Sequence, residues 1–208
     1  MQHSIDYGPA FAMLTCNLDP GDSIVAEGGA MVSMSPGIEV ATSAGAAGGG
    51  ITGALKRSVL GGESFFMNTF TAQHAAQISF APYAPGDIFH HPLDGSGGLM
   101  VVSGCYMASD GTVTVDTKWG GAKTFFSSQG LFLLHVQGGG NLFFSSYGAM
   151  RRVDLTAGQQ FTVDTGHIIA FHDTLGYQVR KTRSVAELAR FIIPFLPSPQ
   201  SSGGFSLG

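Results

Sequence analysis

Three stretches of this chain repeat one order of turn and strand. LDPGDSIVAEGGAMVSM, YAPGDIFHHPLDGSGGLMVVSG and LTAGQQFTVDTGHIIAF align on Gly21, Gly86 and Gly158, with offsets of 65 (86 − 21) and 72 (158 − 86) residues. A solenoid repeats every ~20–50 residues, so this longer period points to a closed fold of degenerate copies. Inside each copy, short β-branched and apolar segments alternate with Gly, Pro and Asp, the residues that β-turns require. The expected architecture is all-β: one domain over residues 1–208, a sandwich or barrel of three internal repeats at roughly 10–60, 61–129 and 130–208.

Taken in order, the first copy has strand candidates at 10–18, 23–26, 30–35 and 38–42. The second has them at 65–71, 76–80, 88–91, 99–103, 105–108 and 112–116, with a loop at 94–98. The third has 131–136, 141–146, 152–155, 160–163, 167–172 and 177–180. The triple glycine Gly138, Gly139, Gly140 reads as the tight turn of a hairpin between 130–136 and 141–146. Linkers fall at 45–62, 118–130 and 182–204. In the last, Ser184 and Glu187 form a capping-box pattern, with Val185, Leu188, Ala189, Ile192 and Ile193 at helical spacing up to Pro194. One short helix near the C-terminus is therefore expected.

Composition narrows the function. Charged residues make up 12%, about half the usual ~25%, and there are 31 glycines. Few charges on many turns suit surfaces buried in an oligomer, and the composition alone also fits a low-charge monomer. The net charge of −4 and the ten thinly spread basic residues leave no nucleic-acid footprint. Two cysteines without CxxC spacing give no disulfide framework, and residues 1–14 lack the basic and apolar regions of a signal peptide. A reducing, cytoplasmic location is the expectation. Apolar runs of four to six residues fall well short of the ~20 needed to cross a bilayer as a helix.

The residue types that carry chemistry are scattered. His90 and His91 are strand neighbours and should point to opposite faces, which separates the two imidazoles. His167 and His172, near Asp164 and Asp173, are five apart on a strand and should likewise diverge, while His135 sits inside an aromatic strand. No Gly-x-Ser-x-Gly elbow occurs, and neither Cys16 nor Cys105 has a histidine nearby in sequence. Glycine-rich 45–53 lacks the Lys-Ser/Thr ending of a phosphate loop. No catalytic, cofactor or metal-binding residue is expected on these grounds. The linkers instead join basic to apolar side chains, and Lys56, Arg57, Trp119, Lys123, Phe125 and Phe126 form a candidate interaction rim. Such a rim suits either an interface between copies or a membrane surface.

The string VDTKWGGAKTFFSSQGLFLLHVQGGGNLFFSSYG at 115–148 resembles the AIM24 family, formerly a domain of unknown function. GGIT and ALKR within 49–57, GGESFF at 61–66, APGDI at 84–88, VDTGHIIAF at 163–171 and YQVRK at 177–181 extend the resemblance over nearly the whole chain. It implies a TRAP-like β fold of the double-stranded β-helix type, assembled as a homotrimer, with no established catalytic residues. Eukaryotic members are associated with organisation of the mitochondrial inner membrane. Members usually carry a glycine-started closing strand after the third linker, and here the chain reaches only Gly203–Gly208 at that point, so an incomplete last repeat is expected. The expected function is a non-enzymatic, oligomeric binding or scaffold protein, acting at a membrane surface or in a larger assembly. The alternative is a small-molecule or metal-binding protein or enzyme with a pocket lined by His90, His167 or His172.

Overall fold

The computed structural model describes residues 1–44, 59–60, 63–64, 66–116, 131–181, 189–194 and 203–207. Its strands are β1 (Gln2–Asp6), β2 (Met13–Leu18), β3 (Ser23–Glu27), β4 (Met31–Met34), β5 (Ile38–Ala44), β6 (Val59–Leu60), β7 (Glu63–Ser64), β8 (Phe66–Ala72), β9 (Ala76–Phe80) and β10 (Gly86–Val102). They continue as β11 (Tyr106–Asp110), β12 (Thr114–Asp116), β13 (Leu133–Tyr147), β14 (Arg151–Leu155), β15 (Gln160–Asp164), β16 (Ile168–His172), β17 (Gln178–Lys181), β18 (Ala189–Pro194) and β19 (Gly203–Leu207). The all-β expectation holds. Among the described residues every strand pair is antiparallel, and the helical segments are short 3-10 turns at Ser103–Cys105 and Thr165–His167.

A large sheet runs in the order β14-β19-β16-β10-β13-β11-β3-β8-β5, with β12 also pairing β13. A smaller sheet, β1-β2-β9-β4, lies over its N-terminal part. Leu14, Cys16, Ile78 and Phe80 from the smaller sheet meet Ile24, Phe70 and Phe143 from the larger one in a first core. A second core gathers Val101, Tyr106, Val115, Leu134, Phe144 and Ile169, and a third gathers Met100, Val102, Leu133, Leu155 and Phe171. Alternation explains the split. Val101 and Met100 are adjacent on β10 and so face opposite sides of one sheet. Each fully buried Leu or Phe adds about 1.5–3 kcal/mol of transfer free energy. Tyr106 is fully buried, and its hydroxyl finds partners there: it donates to the Val25 carbonyl at 3.2 Å and lies 2.9 Å from Ser109 Oγ.

β10 and β13 depart most from the sequence expectation. Residues 130–136 and 141–146 are not the arms of a hairpin but one 15-residue strand, β13, running straight through the triple glycine. The expected loop at 94–98 lies within the 17-residue β10. The two strands pair from Gly86↔Tyr147 to Val102↔Leu133, with a register shift between Asp94 and Gly98. Gly139 and Gly140 lie opposite Asp94 and Leu93, so the glycines face the bulge. Gly138 (φ 120°) and Gly140 (φ 145°) take backbone conformations closed to other residues, and a Cβ on Gly140 would stand 2.9 Å from Asp110 Oδ2. Glycine here bends a strand without ending it.

The C-terminal helix is also corrected. Ala189–Pro194 is β18, the middle strand of β15-β18-β17. Phe191, Ile192 and Ile193 favour the pleated chain, and two backbone ladders outweigh the helical spacing of a short apolar run. Pro194, read as a helix stop, sits instead at the last position of the strand, opposite Gln160, where a missing N–H is tolerated. The capping-box residues Ser184 and Glu187 lie outside the described residues. Gly203–Leu207, where the expected closing strand would begin, forms β19 and hydrogen-bonds between β14 and β16.

Candidate functional site

Chemistry-bearing side chains gather in two places along the β10–β13 ribbon. The first surrounds Asp110, at the end of β11. Asp110 Oδ2 accepts from the Asn141 backbone N–H and from Asn141 Nδ2, both at 2.8 Å. With its amide nitrogen engaged, Asn141 presents Oδ1 as an acceptor, and the His90 Nε2–H donates to it at 2.7 Å. That fixes the His90 tautomer. His90 stacks on Phe143 with centroids 5.1 Å apart, and His3 meets both rings edge-on at 4.3 Å and 4.9 Å. Cys16 pairs with His3 across β1 and β2, and burial, reinforced by the Asp110 charge, pushes its thiol up to about 12. Burial, then His90, lowers the His3 imidazole. A thiol held protonated and an imidazole committed to Asn141 tie β1, β10, β11 and β13 together, and neither offers a nucleophile at neutral pH.

The second group lies at the bulge. His91 and His172 meet edge-on with ring centroids 5.9 Å apart. His135 Nε2 is 3.0 Å from Asp173 Oδ2, which also accepts from the Gly98 N–H at 3.1 Å. His172 pairs with Leu99 and His135 with Met100, so these two imidazoles leave opposite faces of the sheet. His90 and His91 diverge as strand neighbours should. His167 is exposed at the end of its turn. The histidines named for a pocket, His90, His167 and His172, are not brought together. Among the described residues no group of three His, Cys, Asp or Glu is arranged to hold a metal ion.

Burial first, then the neighbouring His172 and Arg152, drives His91 down to about 4, and burial lowers His172 as well. Both folded-state imidazoles hold their protons less tightly than the unfolded chain, whose ordinary value is 6.5. The His91 contribution to stability is therefore full above pH 6.5 and lost as pH falls towards about 4, and the His172 contribution is lost in the same direction. Glu27 has the opposite sign: burial raises it to about 7 from 4.5, so its contribution is full below pH 4.5 and fades as pH rises to 7. Melting temperature followed from pH 7 to 4 should fall less steeply in His91→Gln than in the unchanged protein. An identical slope would show that His91 does not titrate as placed.

What sequence reasoning missed is on the surface. Tyr7, Phe11, Tyr83 and Tyr147 are 72%, 70%, 104% and 80% exposed. They stand on three backbone segments that meet at Gly86. Phe11 bridges Gly86, its N–H donates to the Tyr7 carbonyl, Tyr147 is the β13 partner of Gly86, and the Gly148 N–H donates to Pro85, two residues beyond Tyr83. The flanking charges, Asp6 and Asp87, are acidic. The only available signal was four aromatics beside Gly or Pro turns. The rim residues Lys56, Arg57, Trp119, Lys123, Phe125 and Phe126 lie outside the described residues. Among the described residues no helix is long and apolar enough to cross a membrane.

An antiparallel all-β protein with two buried polar clusters, in the first of which Asp110 Oδ1 has no hydrogen-bond partner among the described residues, and with exposed aromatics on the segments around Gly86, is the class these features define. The chain belongs to the AIM24 family (mitochondrial biogenesis AIM24), whose model matches residues 3–193. It is 27% identical over 184 residues to an uncharacterised protein of Streptococcus pyogenes serotype M6, covering 86% of this chain and 73% of that one. Its fold is similar to a crystal structure of a Streptococcus pyogenes protein, with a TM-score of 0.75 at 22% identity, covering 99% of this chain and 92% of the other.

Proposed function

We propose that this chain is a non-enzymatic, oligomeric binding or scaffold protein whose aromatic patch around Gly86 receives a partner. The exposure of Tyr7, Phe11, Tyr83 and Tyr147 on segments joined at Gly86 carries the reading. Tyr and Phe are enriched at the centres of protein interfaces, and clustered exposed aromatics on a soluble surface mark contact sites. The three-repeat, TRAP-like reading is part of the proposal. The aligned Gly21 and Gly158 fall between consecutive strands, β2/β3 and β14/β15, and Gly86 is the first residue of β10 after β9, which supports it. A trimer is the assembly the family resemblance implies. The membrane-surface version rests on rim residues outside the described segments and is not carried forward. The histidine-pocket alternative gains no support from His90, His167 and His172, which stand apart.

The patch is tested with a photo-crosslinking residue at Tyr83 in cells, compared between the unchanged chain and Tyr7→Ser with Tyr147→Ser. These side chains are exposed, so stability should change by no more than about 0.5 kcal/mol. A crosslinked partner lost in the double variant supports the patch, and the same partner at undiminished yield removes it. For the oligomer, sedimentation at micromolar concentration should give a species heavier than the monomer. A monomer throughout would end that part of the proposal.

A further inference from the structure

β4 differs from its neighbours in the smaller sheet. β2 buries alternate residues, Leu14, Cys16 and Leu18, and β9 buries Ile78, Ser79 and Phe80. All four residues of β4, Met31, Val32, Ser33 and Met34, are exposed. Successive strand residues point to opposite faces, so neither face of β4 is covered among the described residues. β4 is also the end strand of its sheet, paired there to β9 alone among the described residues. The chain then turns through Ser35, Pro36 and Gly37 into β5, the end strand of the larger sheet, where Glu39 and Val40 are exposed as well.

The edge is open in its backbone too. The Ser35 N–H donates to the Gln77 carbonyl at 2.9 Å, and the alternation of an antiparallel ladder then turns the Met34 N–H and carbonyl away from β9. Such an edge adds another strand unless something guards it. Of the usual guards, β4 has short length and a register shift between Met31 and Ser33, ahead of Met34, but no charge and no proline. The charge around it has one sign. Residues 1–44 and 66–116 hold nine Asp and Glu and no Lys or Arg.

That charge selects the occupant. A membrane surface is a poor match, because interfacial segments join apolar side chains to Lys and Arg, and anionic lipid repels carboxylates. A second copy would bring the same carboxylates to the same edge. An extended peptide of alternating apolar and basic residues matches each feature: its backbone pairs with Met34, its apolar side chains cover the methionines and Val32, and its cations meet the acidic surroundings of Glu39. Methionine suits such a contact, since its flexible thioether adapts to differently shaped partners. We infer that β4 is a docking edge for an extended, basic and apolar segment of a partner protein, which joins the smaller sheet beside Met34. The edge shares no residue with the aromatic segments around Gly86, so either surface can fail without the other.

Fluorescence anisotropy of a labelled peptide of alternating Lys and Val, titrated with the full chain at low salt, tests it. A peptide of alternating Glu and Val is the charge control. Met34→Pro removes the outward N–H while leaving the ladder to β9, and Met34→Lys supplies the guard that edge strands normally carry. Thr174→Lys adds the same charge on an exposed turn elsewhere. The Lys–Val peptide should saturate the unchanged chain below about 1 mM, the weak end of the affinity scale. Both Met34 variants should weaken it by roughly ten-fold or more, Thr174→Lys should weaken it far less, and the Glu–Val peptide should bind at least about ten-fold less tightly. Circular dichroism checks the fold, and if Met34→Pro unfolds the chain, Met34→Lys decides alone. No binding by about 1 mM, equal affinity for the two peptides, or equal affinity in the Met34 variants overturns the inference. So does a self-associated species that Met34→Lys breaks up, which would give the edge to a second copy. Capture by anionic vesicles that is lost in Met34→Lys would overturn it in favour of a membrane.

Discussion

Gly86→Ala should lower the melting temperature by about 6–12 °C, the largest effect expected from adding a methyl group at any of the described glycines. Gly86 is buried where β10 begins, and an added Cβ would stand 1.7 Å from the Ser146 carbonyl oxygen and 2.8 Å from its carbon. Both are backbone atoms of β13, so no side-chain rotation relieves the overlap. The strands must part at Gly86↔Tyr147, which also disturbs the Gly86 carbonyl that accepts from the Ala12 N–H. Overpacking costs about 1–3 kcal/mol, sometimes more, and a backbone clash belongs at the upper end. At about 2–4 °C per kcal/mol for a chain of this size, 3 kcal/mol gives the stated shift. Gly166→Ala, with nothing within 4 Å of its Cβ, is the control and should leave the melt nearly unchanged. A Gly86→Ala protein melting within about 2 °C of the unchanged one would mean that β10 and β13 approach less closely than described.

Phe143→Ala should cost about 3–5 kcal/mol, read as a lower urea midpoint at an unchanged slope. Phe143 is fully buried in the first core and also stacks with His90 and meets His3 edge-on. Truncation leaves a cavity between the two sheets and removes the apolar face against which both imidazoles rest. Aromatic contacts of this kind are worth about 0.5–1.5 kcal/mol beyond the area they bury. Phe143→Leu keeps most of the volume and should recover more than half the loss. If Leu were as costly as Ala, the ring contacts with His3 and His90 would matter more than the space Phe143 fills.

The strand alphabet of this chain was legible because its turns are chemically explicit. Asp19-Pro20-Gly21-Asp22 separates β2 from β3, and Thr156-Ala157-Gly158 separates β14 from β15, as local turn preferences require. Illegible were the places where long-range pairing overrides a local signal. Gly138–Gly140 is a strong turn signal, yet β10 supplies a bulge opposite it and the strand continues. Ala189–Pro194 has helical spacing in isolation, but β15 and β17 claim its backbone. β1 went unread because His3 and Ile5 are its only inward-leaning side chains, and polar QHSID shows little of the usual alternation. For the candidate sites, the divergence of His90 and His91 followed from strand geometry alone. The junction of Asp110, Asn141, His90 and His3 did not, because it joins residues from four strands up to 138 positions apart (141 − 3). The aromatic patch is hidden for the same reason.

The unbroken β10–β13 ribbon also decides where this polypeptide can be divided. A cut between residues 117 and 130 leaves one piece ending shortly after β10, β11 and β12, and another beginning just before β13. All three cores draw residues from both pieces, since β10 and β13 each contribute to every one of them. Neither fragment retains a closed interior, and each bares a strand of 15 or 17 residues whose ladder partner has left with the other. Expressed alone, each fragment should aggregate through that edge, and expressed together they should reassemble by mutual templating. The β10–β13 pair thus binds the three cores into one unit that folds only as a whole.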